Sequence, residues 1–323
     1  MGRRTGLCDV LEACFRHGPP STLAPVTTSV TNQKGYAACN ERAETGAVVH
    51  EIWITHETSY EFDRSVDGVE LTARLRPIDD AAQAVLESEL LCHPWPSART
   101  RLADTDGTPS EQLTVRGPVR RIELRSQSRL RWSPATAATR RSPGPDEHPE
   151  PAPDWAQPGG AIWDWSARTL PDRDPDRAAI AGFLSGFRAT FAFDPDATDP
   201  ATPPPAFFAR RRGVCQDYVG LALGCLRARG VSVQAVLGYL VRSPDGEPRF
   251  EESQPHAWLA TWDPAAGWID ADPTTGLPPP SRHVVLRRGR SLAELQPVSG
   301  RLLASEIATQ RLTVKVTIVK EAQ

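Results

Sequence analysis

Residues 213–240 read GVCQDYVGLALGCLRARGVSVQAVLGYL, and this stretch decides the fold. Its first half predicts a helix from about Cys215 to Arg229, because apolar residues recur at helical spacing and Gly230 follows as a C-terminal stop. The apolar face consists of Val219, Ala222, Leu223 and Leu226. Beyond the glycine, residues 231–241 are rich in β-branched and apolar side chains, which predicts a strand. A helix that begins at a cysteine therefore leads into a sheet.

The sulfur of Cys215 lies at the predicted helix start, closely after three consecutive arginines at 210–212. Unpaired N–H groups at a helix start and nearby cations both favour the thiolate, which is the nucleophilic form of cysteine. We therefore expect Cys215 to be a reactive thiol that is partly exposed. The alternative for a cysteine is a small buried apolar side chain. That is the interpretation we give to Cys225, in the middle of the same helix.

Two further stretches contain a base and an acid that could serve such a thiolate. They are PHAWLATW at 255–262 and GWIDADPTTG at 267–276, on either side of a turn-rich junction. An antiparallel hairpin centred on Pro264 would place His256 directly opposite Asp272, with their Cβ atoms about 4.5–5.5 Å apart. Asp270 points to the same face and is the alternative acid if the register differs. A buried structural contact is the other interpretation of this pair.

The remaining chain divides by composition into an α+β architecture with two domains. Residues 1–46 have no sustained hydrophobic period, which predicts a poorly ordered extension. Residues 47–132 contain period-two runs separated by turn residues, which predicts an all-β domain. Residues 133–160 are rich in proline and predict a linker. Residues 161–323 mix helices with strands, and their last strand, 311–320, could return to the β domain.

Composition and spacing exclude several classes of function. The 323-residue chain has a formal net charge of −3, so no global positive field favours nucleic acid or an anionic membrane. No apolar run reaches the length of a membrane span, and no signal-peptide core follows the start, so we expect a cytoplasmic protein with reduced thiols. Metal-ligand spacing and glycine-rich phosphate loops are both absent, so we expect no metal and no cofactor. None of the remaining histidines has ligand spacing to another histidine or to a cysteine. They are His17, His50, His56, His93, His148 and His283.

The motifs around Cys215, His256 and Asp272, in that order, resemble the signature of the bacterial transglutaminase-like proteins, which are part of the papain-like cysteine-enzyme superfamily. The stretch VVHEIWITHETSYEFDRSV at 48–66, with ARLRP and DTDGTPSEQLTV, resembles the N-terminal β domain of that family. FAFDPDAT at 191–198 and the closing GRLLASEIATQRLTVKVTIV resemble its other blocks. The resemblance covers roughly residues 48–323. It implies a helix carrying the cysteine, packed on an antiparallel sheet that carries the histidine and the aspartate.

The resemblance also implies a Cys-His-Asp triad. Cys215 would be the nucleophile, His256 the general base and acid, and Asp272 the group that orients the imidazole. The substrate would be a peptide or protein amide, attacked to give a thioester. The peptide N–H of Cys215 is a candidate oxyanion donor, and a second donor should come from the segment 191–194. Hydrolysis and transamidation share every step up to the thioester, so both remain open.

Two other functions compete with this interpretation. One is an arylamine-type acyltransferase, which has the same Cys, His, Asp order but uses an acyl-CoA donor. The other is a catalytically silent module that binds a partner protein. Its support is a set of departures from the family pattern, at Val219, Gly220 and Ala260.

Overall fold

The computed structural model describes residues 49–104, 107–133, 150–241, 250–253, 255–276, 282–303 and 310–320. Within these ranges the protein is α+β, with two antiparallel sheets and a helical layer, as predicted. The predicted extension, residues 1–46, lies outside the described residues, and so do residues 134–149 of the predicted linker. No helix in the described part of the chain is long and apolar enough to cross a membrane.

The first sheet is built around two long strands. Strand β1, His50–Ala73, pairs antiparallel with β4, Pro109–Trp132, from one end to the other, with a break in register between Glu61 and Gly68. The outer strands β2, Gln83–His93, and β3, Ala98–Ala103, both pair with β4. Alternate residues of β1 are buried, which is the period-two pattern of a strand with one face on a core.

The C-terminal segment of the chain completes this first sheet. Strand β13, Gln310–Lys320, pairs antiparallel with the first half of β1, from Ile52 opposite Lys320 to Phe62 opposite Gln310. Strand β12, Val298–Leu302, pairs with the other end of β1, and β8, Phe250–Ser253, pairs with β13. The C-terminal half of the sequence therefore contributes three strands to the β domain.

The second sheet has the strand order β10-β9-β7-β11. Its strands are β7, Val233–Leu240; β9, Pro255–Asp263; β10, Gly267–Ala271; and β11, His283–Gly289. The helical layer holds α1, Ala161–Ser166; α2, Arg177–Ser185; α3, Phe187–Thr190; α4, Pro204–Arg210; and α5, Cys215–Arg227. A short parallel pair, β5, Ala192–Phe193, and β6, Arg212–Gly213, lies just before α5. Helix α5 packs against β7 and β9, so the predicted helix on an antiparallel sheet is present.

The hairpin of β9 and β10 forms, but its predicted register is wrong. Gly267 pairs with Asp263 and Ala271 with Leu259, which centres the hairpin on Ala265 and not on Pro264. Asp263 Oδ1 accepts the N–H groups of Ala265 and Ala266, both at 2.8 Å, and Gly267 has a φ of 80°. This is a three-residue loop followed by a left-handed glycine, a connection that proline spacing alone does not reveal.

The two sheets are joined by hydrogen bonds that end on β11. The Gln83 side chain donates to the carbonyl of Val285 and accepts its N–H, both at 2.7 Å. Trp132 Nε1 donates to the carbonyl of His283 at 3.2 Å. Asp104 accepts hydrogen bonds from Arg287 at 2.8 Å and from Arg74 at 2.5 Å. The β domain thus holds the outer strand of the sheet that carries the site.

The end of the predicted linker is packed, which corrects its boundary at residue 160. A 3₁₀ turn at Asp154–Ala156 buries Ala156, and the Trp155 indole lies over Gly224 of α5. A Cβ on Gly224 would lie 2.1 Å from the indole, so the glycine makes room for the ring. Proline-rich composition predicted an open segment, but one tryptophan supplies enough apolar surface to fix its last residues.

Two glycines of α5 should respond in opposite directions to the same substitution. Gly224→Ala is expected to lower the free energy of unfolding by about 1–3 kcal/mol, because the new methyl group overlaps the indole of Trp155. Gly220→Ala is expected to raise it by up to about 1 kcal/mol, because a Cβ there has ordinary contacts at 3.5 Å and glycine is a poor helix former. Urea unfolding measures both; equal effects would contradict this packing.

Candidate active site

Cys215 is the first residue of α5, and the turn before it is held by Asp217. The Asp217 carboxylate accepts the N–H of Val214 at 2.8 Å and the hydroxyl of Thr198 at 2.6 Å. An acid at this position, reaching back to the N-cap residue, stabilises a helix start. Gly213 is required here, because a Cβ would lie 2.5 Å from the Asp217 carboxylate. The Asp217 carboxylate therefore fixes the backbone at the residue before Cys215.

Cys215 is buried, with 2% of its surface exposed, so the expectation of a partly exposed sulfur is wrong. The cysteine belongs to the main apolar cluster together with Val219 and Ala222 of its own helix. The Cys215 side chain is therefore part of the apolar layer between α5 and the sheet on which the helix packs. A reagent or substrate must enter this closed layer to reach the sulfur.

His256 joins Cys215 to Asp272. Its Nε2 lies 2.8 Å from Asp272 Oδ2, and the Cys215 side chain is close enough to its ring to raise its pKa. His256 is 7% exposed and Asp272 4%. The three residues that the sequence singled out thus meet in one buried site. Asp272 lies one residue beyond β10 and reaches His256 diagonally, because the observed register does not place the two residues opposite each other.

The Asp272 carboxylate is saturated with donors. Oδ2 accepts from His256, from the hydroxyl of Thr275 at 2.6 Å and from His283 Nε2 at 3.0 Å. Oδ1 accepts the N–H groups of Thr274 at 2.8 Å and Thr275 at 3.2 Å. Burial disfavours the charge of Asp272, but His256 and these hydrogen bonds lower its pKa far below the ordinary value. The carboxylate is therefore ionised at any pH at which the protein works.

An ionised carboxylate beside His256 determines the charge of the imidazole. Burial alone would lower the pKa of His256, but the charge and hydrogen bond of Asp272 and the contact with Cys215 raise it to about 10. At neutral pH the ring is thus an imidazolium in contact with a sulfur. A cysteine beside such a cation is the pair from which cysteine enzymes obtain their nucleophile.

The three arginines before Cys215 do not supply this charge. Arg210 donates to the carbonyl of Ala197, Arg211 stacks on the Phe208 ring at 4.0 Å, and Arg212 lies 3.4 Å from the Asp194 carboxylate. The alternative acid, Asp270, is also committed elsewhere. It accepts from Arg288 at 2.9 Å and from Trp258 Nε1 at 3.2 Å. The sequence predicted that these charged side chains would act on Cys215 or His256. In the structure they contact other partners.

His283 is the site residue that sequence reasoning missed. It stands alone in HVVLRRG, without ligand or catalytic spacing, yet it contacts the same carboxylate oxygen as His256. Nitrogen and oxygen atoms of His256, Asp272 and His283 lie close enough together to bind a metal ion. Both Nε2 atoms, however, are within hydrogen-bond distance of Asp272 Oδ2, and an ionised carboxylate only accepts. The arrangement therefore fits a hydrogen-bonded triad better than a metal site.

The segment expected to provide the second oxyanion donor lies close by, in β5. Phe191, Ala192 and Asp194 donate their N–H groups to the carbonyls of Phe187, Arg211 and Gly213. Of the four residues 191–194, Phe193 is left as the candidate donor. It pairs with Gly213, two residues before Cys215, and its side chain is 58% exposed.

The other two described cysteines have quite different surroundings. Cys92 lies in β2 and Cys225 in the middle of α5, and both are buried free thiols. Burial raises the pKa of Cys92 to about 11 and that of Cys225 to about 12. These two thiols are therefore protonated at neutral pH. Cys8, Cys14 and Cys39 lie outside the described residues.

Two regions of the chain match models of known protein families. Residues 165–273, which include Cys215, His256 and Asp272, match the profile of the transglutaminase-like superfamily. Residues 52–131 match the bacterial transglutaminase-like N-terminal region. The chain belongs to the transglutaminase-like superfamily. It has the N-terminal β domain of the bacterial members, as the sequence motifs predicted.

Individual relatives agree with this assignment. The uncharacterized protein Rv2569c of Mycobacterium tuberculosis is 27% identical over 277 residues, which cover 78% of this chain and 87% of the relative. A protein-glutamine gamma-glutamyltransferase of Pseudomonas aeruginosa is 30% identical over 109 residues, or 32% of this chain and 16% of that protein. Among solved structures, a proposed cysteine protease from Cytophaga hutchinsonii superposes with a TM-score of 0.60 at 13% identity, over 85% of this chain and 99% of that one. The last comparison supports the fold alone.

Proposed function

We propose that this transglutaminase-like protein is a cysteine enzyme that breaks or transfers amide bonds of peptides or proteins. Cys215 is the nucleophile, His256 the acid and base, and Asp272 the orienting carboxylate. The observation that carries the proposal is the position of His256, which lies beside Cys215 and 2.8 Å from Asp272 Oδ2. A nucleophile, a base and an orienting group next to one another is the arrangement that covalent catalysis needs.

The reaction begins with attack of the Cys215 thiolate on the carbonyl carbon of the amide. The tetrahedral intermediate collapses when the C–N bond breaks, and the His256 imidazolium gives its proton to the departing amine. A thioester on Cys215 and a neutral His256 remain. Water or a second amine then attacks the thioester, His256 removes the proton of the attacking group, and the thiolate leaves. The complete cycle restores the thiolate and the imidazolium of the resting site.

Asp272 serves this cycle through His256. Because Asp272 Oδ2 bonds to Nε2, the other ring nitrogen, Nδ1, is the one available to Cys215 and the substrate. The negative charge stabilises the imidazolium that exists before attack and forms again during the second half of the cycle. The oxyanion of the intermediate would be stabilised by the N–H of Cys215 at the helix start and by the N–H of Phe193.

The proposed substrate class follows from chemistry and from the family. Transglutaminase-like proteins act on protein and peptide amides in general, and the relative from Pseudomonas aeruginosa is described as acting on protein glutamine. The departures that could indicate a silent module lie at packing positions. A Cβ on Gly220 would face Leu292 and Pro204, and Ala260 packs with Trp258. The cytoplasmic location and reduced thiols remain predictions.

Selective alkylation of Cys215 tests the proposed ion pair without knowledge of the substrate. At pH 6, iodoacetamide is expected to modify Cys215 at least tenfold faster than Cys92 and Cys225, because only the thiolate reacts and burial keeps the other two thiols protonated. Peptide mass spectrometry of the folded protein gives the rate at each cysteine. The two buried cysteines serve as internal controls. Equal rates at all three would favour the silent module.

A second assay distinguishes the possible acyl acceptors. Dimethylcasein with a fluorescent primary amine reports transamidation, new peptide termini report proteolysis, and ammonia release alone reports deamidation. Incubation with acetyl-CoA tests the arylamine-type alternative, since that enzyme would carry a stoichiometric acetyl group on Cys215. We expect turnover of an amide and no acetyl adduct. An acetyl adduct on Cys215 without turnover of any amide would instead support the arylamine-type acyltransferase.

A further inference from the structure

His283 is not a member of the proposed triad, but it contacts Asp272, which is. Its Nε2 lies 3.0 Å from Asp272 Oδ2, and its side chain is fully buried. We propose that His283 is a positioning residue, which fixes Asp272 in place so that the carboxylate faces His256. The proposal rests on the function proposed above and adds a fourth residue to the site.

Asp272 needs such an anchor because it lies beyond the end of its strand. Strand β10 ends at Ala271, so no ladder hydrogen bond fixes the backbone of Asp272 against β9. The donors from Thr274 and Thr275 belong to the same turn, which is closed by the N–H of Gly276 on the Asp272 carbonyl. These contacts hold the carboxylate relative to its own turn. They would move together with the turn.

His283, in contrast, belongs to the rigid part of the protein. It is the first residue of β11 and pairs with Leu240 of β7. Its carbonyl accepts the Trp132 Nε1 of the β domain at 3.2 Å, and its ring lies edge to face against Trp258, with centroids 4.9 Å apart. The hydrogen bond to Asp272 is therefore a tie between the carboxylate and the sheet. Arg188 also donates to the Thr275 carbonyl at 2.9 Å and so holds the backbone of the turn. Among the described residues outside the turn, His283 and His256 are the donors that reach the carboxylate itself, and His256 is the residue to be oriented.

The charges around His283 favour a neutral donor. The titratable groups nearest to it are Asp272, His256 and Asp270, and Asp270 is paired with Arg288. Burial lowers the pKa of His283 despite the Asp272 carboxylate, and the positive charge of His256 acts in the same direction as burial. With the proton on Nε2, the Nδ1 atom carries a lone pair. This atom has no hydrogen-bond partner within the described ranges, which is less costly for a lone pair than for an N–H.

A positioning role and a competing role predict opposite shifts. If His283 holds the turn in place, its loss separates Asp272 from His256, and the pKa of His256 falls. If His283 merely competes with His256 for the same oxygen, its loss strengthens the bond from His256, and the pKa of His256 rises. The sign of the shift therefore decides between the two roles.

The test is the pKa of His256, read from imidazole ¹⁵N shifts in full-length variants. His283→Phe is expected to lower this pKa by about one pH unit, the size of a weakened contact with an opposite charge. His283→Gln, which can place an amide N–H near Asp272, is expected to restore most of this shift. The matched control is His56→Phe, since His56 is equally buried but bonds to Tyr239 and Thr58. No shift is expected there.

Each outcome has one meaning. An unchanged or raised pKa of His256 in His283→Phe, with a fast Cys215 in the native protein, overturns the positioning role and leaves the proposed function intact. A slow Cys215 in the native protein overturns the proposed function itself. If His283→Phe does not fold, imidazole ¹⁵N spectra of the native protein test the proposed donor, because a neutral His283 with its proton on Nε2 is expected at neutral pH. A charged ring or a proton on Nδ1 would contradict the proposal.

Discussion

Cys215→Ala is expected to lower the turnover of amide substrates by on the order of 10⁶-fold, which is the typical cost of removing a catalytic nucleophile. The fold should survive, because alanine has good helix propensity and loses one buried sulfur atom. Steady-state rates on the best casein or peptide substrate measure the loss. Far-UV circular dichroism and urea unfolding verify the structure of the variant.

Cys225→Ala is the matched control for this substitution. It removes a buried thiol from the same helix and should lower the free energy of unfolding by about 1 kcal/mol while activity stays within a few-fold of the native value. Retained turnover in Cys215→Ala would exclude a thioester on that sulfur. Parallel loss of activity in both variants would point to disruption of α5 rather than to chemistry.

Helix α5 and its cysteine could be predicted from the sequence because their determinants are local. The apolar spacing of Val219, Ala222 and Leu226 and the glycine at 230 lie within one stretch, and the structure places a helix there at Cys215–Arg227. The charge near the sulfur was predicted from the wrong neighbours. Arg210–Arg212 are adjacent in sequence, but side chains as long as arginine reach partners several ångströms away in other directions.

The contact between His256 and Asp272 was predicted, although the register behind it was wrong. The loop bonds of Asp263 and the left-handed Gly267 shift the centre of the hairpin by one residue, to Ala265. Asp272 still reaches His256, because it lies past the last ladder pair and follows the turn instead of the strand. His283 could not be found in the same way. Its contact depends on how β11 docks against β7, which no local pattern reports.

Asp272→Asn is expected to lower turnover by on the order of 10⁴-fold, as removal of the carboxylate does in other triads. The asparagine has nearly the same shape, so it keeps the turn but removes the charge. Burial then dominates at His256 and holds its pKa below the ordinary value, whereas the native site raises it to about 10. The imidazolium of the native site is therefore replaced by a neutral ring at neutral pH, and the thiolate loses its counter-ion. Alkylation of Cys215 at pH 6 should fall with activity.

The alternative acid provides the control for this last substitution. Asp270→Asn removes the ion pair with Arg288 and one acceptor of Trp258 Nε1, so it should reduce stability. Activity and the alkylation profile should change only a few-fold, because Asp270 faces those two residues and not His256. Measurement of kcat and of alkylation from pH 5 to 9 in both variants separates the two acids. A larger loss in Asp270→Asn would assign the orienting role to Asp270, whereas equal losses would mean that either substitution disturbs the whole sheet.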